Sequence, residues 1–189
     1  MMEVPTSTVS SKHARLDELI DELADARRSL LQAVHEAPEV QHRETRRDDG
    51  WTLAQILEHL SIVESGAGRM INRLVKEARE KAVAESKSES VLGALDHLSL
   101  SIPREPRSAP DFTMPVEGIS VGEAIDRLTT NRARLLQVLD GVRGIALDTV
   151  SAPHPAVGML DGYGWILLTA QHERRHTYQI RQLSNQERA

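Results

Sequence analysis

Apolar side chains recur three to four residues apart in four separate stretches of the chain, with charged residues between them. This period is that of an amphipathic α-helix with one buried face. Thr52 with Gln55, and Ser120 with Glu123, are capping-box sequences that place the starts of the second and third helices. The pattern predicts helices at about 14–36, from 53 through 74 and on into 76–85, at 121–140, and at 162–183.

The region 86–118 separates the chain into two halves. Ser90 to Leu100 is predicted to form a short helix, and the prolines that follow make an extended connection, namely Pro103, Pro106, Pro110 and Pro115. Neither half has two faces to bury by itself. We therefore expect an all-α fold, a single four-helix-bundle domain over 1–189 built from two helical hairpins with a long Pro-rich crossover, and residues 1–12 disordered.

The first and third helices are related by a repeat. With a shift of 132 − 27 = 105 residues, eight positions within one amphipathic helix are identical, and Arg27 and Arg132 interrupt the two apolar stripes at the same place. The second and fourth helices correspond as well, because each carries a tryptophan near its start and a histidine directed inward. Approximate internal symmetry of two hairpins explains both observations and brings the second and fourth helices side by side.

Composition limits the classes of partner. The 189 residues include 23 Lys and Arg against 28 Asp and Glu, a net charge of −5, so a basic nucleic-acid surface is not expected. The chain has no cysteine, which leaves His, Asp and Glu as the residues able to hold a metal. No secretory h-region and no run of membrane-spanning length is present. We expect a cytoplasmic protein.

Two histidines near the C-terminus have metal-ligand spacing. His172 and His176 lie one helical turn apart on the buried stripe of the fourth helix, where solvated histidines are not expected. His59 lies on the flank of the stripe of the second helix and points towards the interior, which is also the position of an ordinary core histidine. Three neutral imidazoles would leave a zinc or nickel ion with open positions for water or substrate.

The string His172-Glu173-Arg174-Arg175-His176 also matches the H-E-x-x-H pattern of zinc peptidases. Such peptidases need a further ligand downstream, but only 189 − 176 = 13 residues follow, none of them histidine. Glu173 is therefore predicted to form a salt bridge or to contact a ligand side chain. Arg132, Arg27 and His154 are further candidates for contact with a substrate or with the ligands. For Arg132 the alternative is an arginine that pairs with an acid.

Several motifs together resemble a known family. They are Trp51-Thr52-Leu53 leading into Glu58-His59-Leu60, the Pro-rich crossover, His154-Pro155 with Gly158, and His172-x-x-x-His176 followed by Gln179-Ile180. In their order and spacing the sequence resembles the DinB-like superfamily, which includes YfiT-type proteins and thiol-dependent maleylpyruvate isomerases. The resemblance implies a four-helix bundle, often dimeric, in which three histidines bind a divalent metal. Carried over to this sequence, they are His59, His172 and His176.

The leading hypothesis is a metal-dependent enzyme, a low-molecular-weight-thiol S-transferase in which a metal-bound thiolate attacks an electrophilic substrate. A second hypothesis is a non-catalytic metal-binding or stress-response module, in which the ion only stabilises the bundle. A metal-dependent hydrolase is the third. The resemblance does not choose among them.

Overall fold

The structure, a computed structural model, describes residues 14–37, 51–98 and 109–186. The bulk of these residues form long α-helices, which confirms the predicted four-helix bundle, and the helices are α1 (Ala14–Glu36), α2 (Leu53–Lys81), α3 (Val121–Asp140) and α4 (Gly162–Gln186). The expected disorder of 1–12 lies outside the described residues, as do Pro103 and Pro106 of the crossover.

Both capping boxes form as predicted. The Gln55 N–H donates to the Thr52 hydroxyl over 3.2 Å, and the Thr52 N–H donates to the Gln55 side chain over 2.9 Å. Ser120 and Glu123 make the same pair of contacts at the start of α3. Helix α2 ends at Lys81 and does not continue to 85, because Ala82 adopts a left-handed backbone with φ of 52° and its N–H closes on the Ala78 carbonyl.

The two halves of the chain interlock. Helix α1 packs mainly on α4, helix α2 packs mainly on α3, and α2 also packs against α4. The second and fourth helices, which carry the predicted ligands, are therefore neighbours as the repeat predicts. Each half buries its apolar face against the other half.

The core consists of two apolar clusters. One contains Leu19, Leu23, Leu74, Leu139 and Ile166, and the other contains Leu30, Ile56, Leu57, Leu128 and Ile180. Burial of a leucine or isoleucine stabilises a fold by ~1.5–3 kcal/mol. Between the two clusters, each helix directs one charged side chain into the bundle, and these residues are Arg27, Glu64, Arg132 and Glu173.

Shorter elements connect the helices. A 3-10 helix at Leu92–Leu98 confirms the short helix predicted there, and a single turn at Asp111–Thr113 follows in the crossover. The segment expected to be a loop before α4 contains an antiparallel hairpin of β1 (Ser151–His154) and β2 (Gly158–Asp161). The Trp165 indole holds the hairpin on α4 by donating to the Ala152 carbonyl over 3.2 Å. None of the helices in the described ranges has the length and apolarity needed to cross a membrane.

Candidate metal centre

The structure brings the three predicted histidines together. His59 comes from the first turns of α2, and His172 and His176 come from the middle of α4. The ring centroids lie 5.3 Å apart for His59 and His172, 5.0 Å for His59 and His176, and 4.7 Å for His172 and His176. One ring nitrogen from each lies within 4.8 Å of the others, so the group could hold a metal ion.

Hydrogen bonding sets which nitrogen of His59 faces the other two rings. Its Nδ1 lies 2.9 Å from the Thr113 carbonyl oxygen, inside the protein. A carbonyl oxygen only accepts, so Nδ1 carries the hydrogen and Nε2 keeps its lone pair. The Nε2 atoms of His172 and His176 approach each other to 3.3 Å. A metal-binding histidine ordinarily donates its other ring N–H to an acceptor, as His59 donates to Thr113.

The surroundings favour neutral imidazoles. Burial, together with the charges that His59 and Arg175 would add, lowers the pKa of His172 to about 3. Burial and the neighbouring histidines hold the pKa of His176 well below its usual value. A hydrogen bond with Gln179 would raise the pKa of His176. Among the described residues, however, the buried His176 Nδ1 and Gln179 Oε1 form no hydrogen bond. Neutral nitrogens with free lone pairs are the form in which histidine binds a metal.

The three histidines differ in their access to solvent. His59 is 4% and His176 is 6% exposed, whereas His172 is partly exposed. The Trp51 ring lies 4.9 Å from the His59 ring and covers that side of the group. The group is therefore open to solvent on the side of His172.

His154 lies in the hairpin next to this group. Its ring packs against Trp165 with centroids 5.2 Å apart, and its Nδ1 accepts a hydrogen bond from the Ala156 N–H over 3.2 Å. Burial lowers the pKa of His154, and a charge on His154 would in turn lower the pKa of His172. The structure thus places His154 near His172 but outside the group of three.

The two arginines that interrupt the apolar stripes of α1 and α3 meet two glutamates in the centre of the bundle. Arg132 donates to Glu64 over 2.6 Å and to Glu173 over 2.6 Å. Arg27 donates to Glu64 over 2.7 Å and also pairs with Glu173. Burial by itself would lower the pKa of Arg132, but the charges of Glu173 and Glu64 outweigh it and raise that pKa above its usual value. We call these four residues the Arg–Glu quartet.

The contacts of the quartet are reciprocal down to the atom. In each arginine, Nε bonds one glutamate and Nη2 bonds the other, with the two glutamates exchanged. The Nη1 of Arg27 donates to the Leu128 carbonyl over 3.0 Å, and the Nη1 of Arg132 donates to the Leu23 carbonyl. Leu128 and Leu23 each precede the opposite arginine by one helical turn. A pseudo-twofold axis therefore passes through the quartet.

Two residues of this region were missed from the sequence. Glu64 lies beside the apolar stripe of α2. It could have been predicted from Arg27 and Arg132, because buried arginines need buried acids as partners. Thr113 acts through its backbone carbonyl, for which no side-chain pattern exists. Glu173 forms salt bridges, as predicted for it.

A family model described as the DinB superfamily matches residues 22–180 of this chain. The chain belongs to the DinB superfamily. It is 27% identical over 134 residues to the uncharacterized protein YuaE of Bacillus subtilis (strain 168), a match that covers 70% of this chain and 76% of that protein. It is also similar to the crystal structure of TT2238, a four-helix bundle protein, with a TM-score of 0.60 and 23% identity over 88% of this chain and 98% of the other.

Membership of the DinB superfamily and the likeness to TT2238 agree with the bundle described above. At 23% identity, the likeness to TT2238 concerns the fold alone. All three histidines fall inside the part of the chain that matches the DinB superfamily.

Proposed function

We propose that this DinB superfamily protein is a metal-dependent enzyme that transfers a low-molecular-weight thiol to an electrophilic substrate. The metal, zinc or nickel, would be held by His59, His172 and His176. The observation that carries the proposal is the convergence of three ring nitrogens within 4.8 Å, with one of the three rings open to solvent.

The residues present fit a divalent ion. Each ring offers one nitrogen as a ligand atom, and the Thr113 carbonyl sets the His59 tautomer that leaves Nε2 available for a metal. Imidazole ligands bring no charge to a metal, so a bound divalent ion would keep its positive charge at the site. When bound, such an ion lowers the pKa of a thiol or water in the same site and so supplies a nucleophile at neutral pH.

The chain supplies a shielded site with one approach. Trp51 packs on His59, and His59 and His176 are themselves buried. A thiol and an electrophile reach it beside His172. In the transfer, a bond forms between the thiol sulfur and the electrophilic atom, the leaving group departs with its bonding electrons, and the thiol proton passes to solvent.

The test is a comparison of purified protein with two alanine variants. We expect about one zinc or nickel ion per chain, and thiol-dependent conversion of a chromogenic aryl chloride by the loaded protein. His172→Ala should lose both properties. His97→Ala removes an exposed histidine of the 3-10 helix and should keep both, which makes it the matched control.

The same assays separate the alternatives. Metal binding that raises the melting temperature, with no turnover of any thiol tested, would identify a non-catalytic module. Turnover that does not need a thiol would identify a hydrolase. Absence of metal after loading would overturn the proposal. A homodimer and a cytoplasmic location remain parts of the proposal, and sedimentation and cell fractionation test them.

A further inference from the structure

The Arg–Glu quartet takes one residue from each helix of the bundle. Arg27 belongs to α1, Glu64 to α2, Arg132 to α3 and Glu173 to α4. The side chains of Glu64, Arg132 and Glu173 are 5%, 8% and 3% exposed, and that of Arg27 is 12% exposed. The quartet is thus a polar layer between the two apolar clusters of the core.

The quartet joins the two helices that carry the histidines. Glu64 lies five residues after His59 on α2, and Glu173 directly follows His172 on α4. Both carboxylates are bound to the same two guanidinium groups, which come from the helices without histidine ligands. The arginines therefore act as a spacer, since they bridge α2 to α4 and keep two like charges from repelling each other.

The spacer also adjoins the histidine group directly. One small cavity is lined both by His172 and Thr169 and by the quartet residues Glu64, Arg132 and Glu173. We therefore expect a change in the quartet to reach His172 through the residues that line this cavity. Metal ligation is sensitive to such a change, because metal–nitrogen distances tolerate only ~0.2 Å.

Stability is a poor explanation for such a layer. Replacing a buried ion-pair cluster by apolar residues of similar size is often neutral or stabilising. A layer of well-packed leucines would fill the same space, and the clusters on either side already consist of such residues. What an apolar layer lacks is the fixed geometry of a planar guanidinium between two carboxylates.

We propose that the Arg–Glu quartet is a positioning device that fixes the separation of α2 and α4 and thereby sets the metal affinity of the three-histidine site. This inference rests on the proposed metal site. The four members of the Arg–Glu quartet are positioning residues, because none of them is one of the three histidines proposed to bind the metal.

The test replaces the whole layer by apolar residues of similar size: Arg27→Met, Glu64→Leu, Arg132→Met and Glu173→Leu. We expect a folded protein whose zinc affinity is lower by ~10- to 100-fold, the loss typical of removing the groups that orient metal ligands. A second variant, Arg27→Lys with Arg132→Lys, keeps the charges but loses the planar bridges, and should lose affinity in the same direction. The matched control removes another α1–α4 ion pair, with Glu22→Leu and Arg174→Met, and should leave the affinity unchanged.

A second readout needs no metal. Because the chain has no cysteine, spin labels attach only where cysteine is introduced, at the exposed positions Arg73 of α2 and Tyr178 of α4. In apo protein we expect a single narrow distance distribution for the wild type and the control, and a broader one for both quartet variants.

The two readouts separate the failure of each proposal. Equal distance distributions in apo wild type and quartet variants would overturn the positioning role, whatever the metal does. A broader distribution with zinc affinity within twofold of wild type would overturn it as well. A wild type that binds neither zinc nor nickel would overturn the proposed function, and the spin-label comparison would still decide whether the quartet sets the helix separation.

Discussion

His59 donates through Nδ1 to the backbone carbonyl of Thr113, over 2.9 Å, although the two residues are 54 positions apart in sequence. The contact joins α2 to the 3-10 turn Asp111–Thr113 of the crossover. That turn is itself closed by the Thr113 hydroxyl, which donates to the Pro110 carbonyl over 2.7 Å. The orientation of one histidine of the group therefore depends on the conformation of the connection between the two halves.

Thr113→Val should weaken metal binding without unfolding the protein. The substitution keeps the shape of the side chain but removes the hydroxyl that closes the turn, so the carbonyl holding His59 is less firmly placed. We expect zinc affinity to fall by up to ~10-fold, the lower end of the effect of losing a partner of a metal ligand. Competition with a chelating dye measures the loss.

The control for this prediction is Thr149→Val. The Thr149 hydroxyl donates to the Ala146 carbonyl over 2.7 Å in a turn of the same kind, which holds no histidine. Equal zinc affinities of the two variants would show that the turn at Thr113 does not position His59.

Removing a single arginine of the quartet should destabilise the protein far more than removing the whole quartet. Arg132→Met leaves Glu64 and Glu173 buried with only one guanidinium between them. Breaking a buried ion pair in this way costs ~3–5 kcal/mol of unfolding free energy. Urea unfolding measures it.

Arg28→Met is the comparison for this loss. It removes an ion pair with Asp25 in which the side chains are 74% and 54% exposed, and it should change the unfolding free energy by less than ~1 kcal/mol. An Arg132→Met variant that behaves like Arg28→Met would mean that the quartet carboxylates find other partners.

Stability should fall in acid through Glu85 and Asp148, the two carboxylates that pair with Arg15. Burial alone would raise the pKa of Glu85, but hydrogen bonds from Tyr163 and the Lys87 backbone and the charge of Arg15 outweigh it and hold that pKa below its usual 4.5. Bonds from Lys87 and Arg15 likewise lower the pKa of Asp148 from 3.8, against the effect of burial. A lowered folded-state pKa stabilises the protein above the unfolded-state value, and the stabilisation is lost as the pH falls through the folded-state value.

The measurement is the melting temperature of apo protein from pH ~6 to ~3, the range in which unperturbed carboxylates begin to bind protons. We expect a steeper decline for the wild type than for a Glu85→Gln, Asp148→Asn variant, which has no such charges to lose. Parallel declines would contradict the assignment of this acid sensitivity to the two carboxylates.

Two glycines should respond to alanine in opposite directions. A Cβ at Gly162, the first residue of α4, would lie 2.8 Å from the Leu147 carbonyl oxygen, so Gly162→Ala should cost ~1–3 kcal/mol of unfolding free energy. A Cβ at Gly68, inside α2, meets nothing within 4 Å, and Gly68→Ala should stabilise by ~0.5–1 kcal/mol. Thermal unfolding compares them, and a stable Gly162→Ala variant would show that the 3-10 turn Leu147–Thr149 can move away from α4.

Local signals in the sequence predicted the fold well. Periodicity and capping boxes define each helix by residues within a few turns of one another, as Thr52 and Gln55 do. The hairpin before α4 was not predicted, because Pro153 and Pro155 are typical of a loop and the pairing depends on contact with Trp165.

The site was predicted only in part, for a related reason. The four-residue spacing of His172 and His176 indicated that both could bind one metal. The repeat indicated that Arg27 and Arg132 occupy equivalent positions. The partners of the arginines come from distant helices, and an acid such as Glu64 looks like a solvated residue until two buried cations are known to face it.

The reciprocal contacts of the quartet also fix the register between α2 and α4, at 173 − 64 = 109 residues. Under the pseudo-twofold symmetry, this register makes His59 of α2 equivalent to Leu168 of α4. In the same way, His172 is equivalent to Val63 and His176 is equivalent to Ala67, so all three counterparts are apolar. The bundle is thus an approximately symmetric duplication in which only one of two equivalent sites carries the three histidines. A Val63→His, Ala67→His, Leu168→His variant would show whether the equivalent site can bring three histidines together in the same geometry.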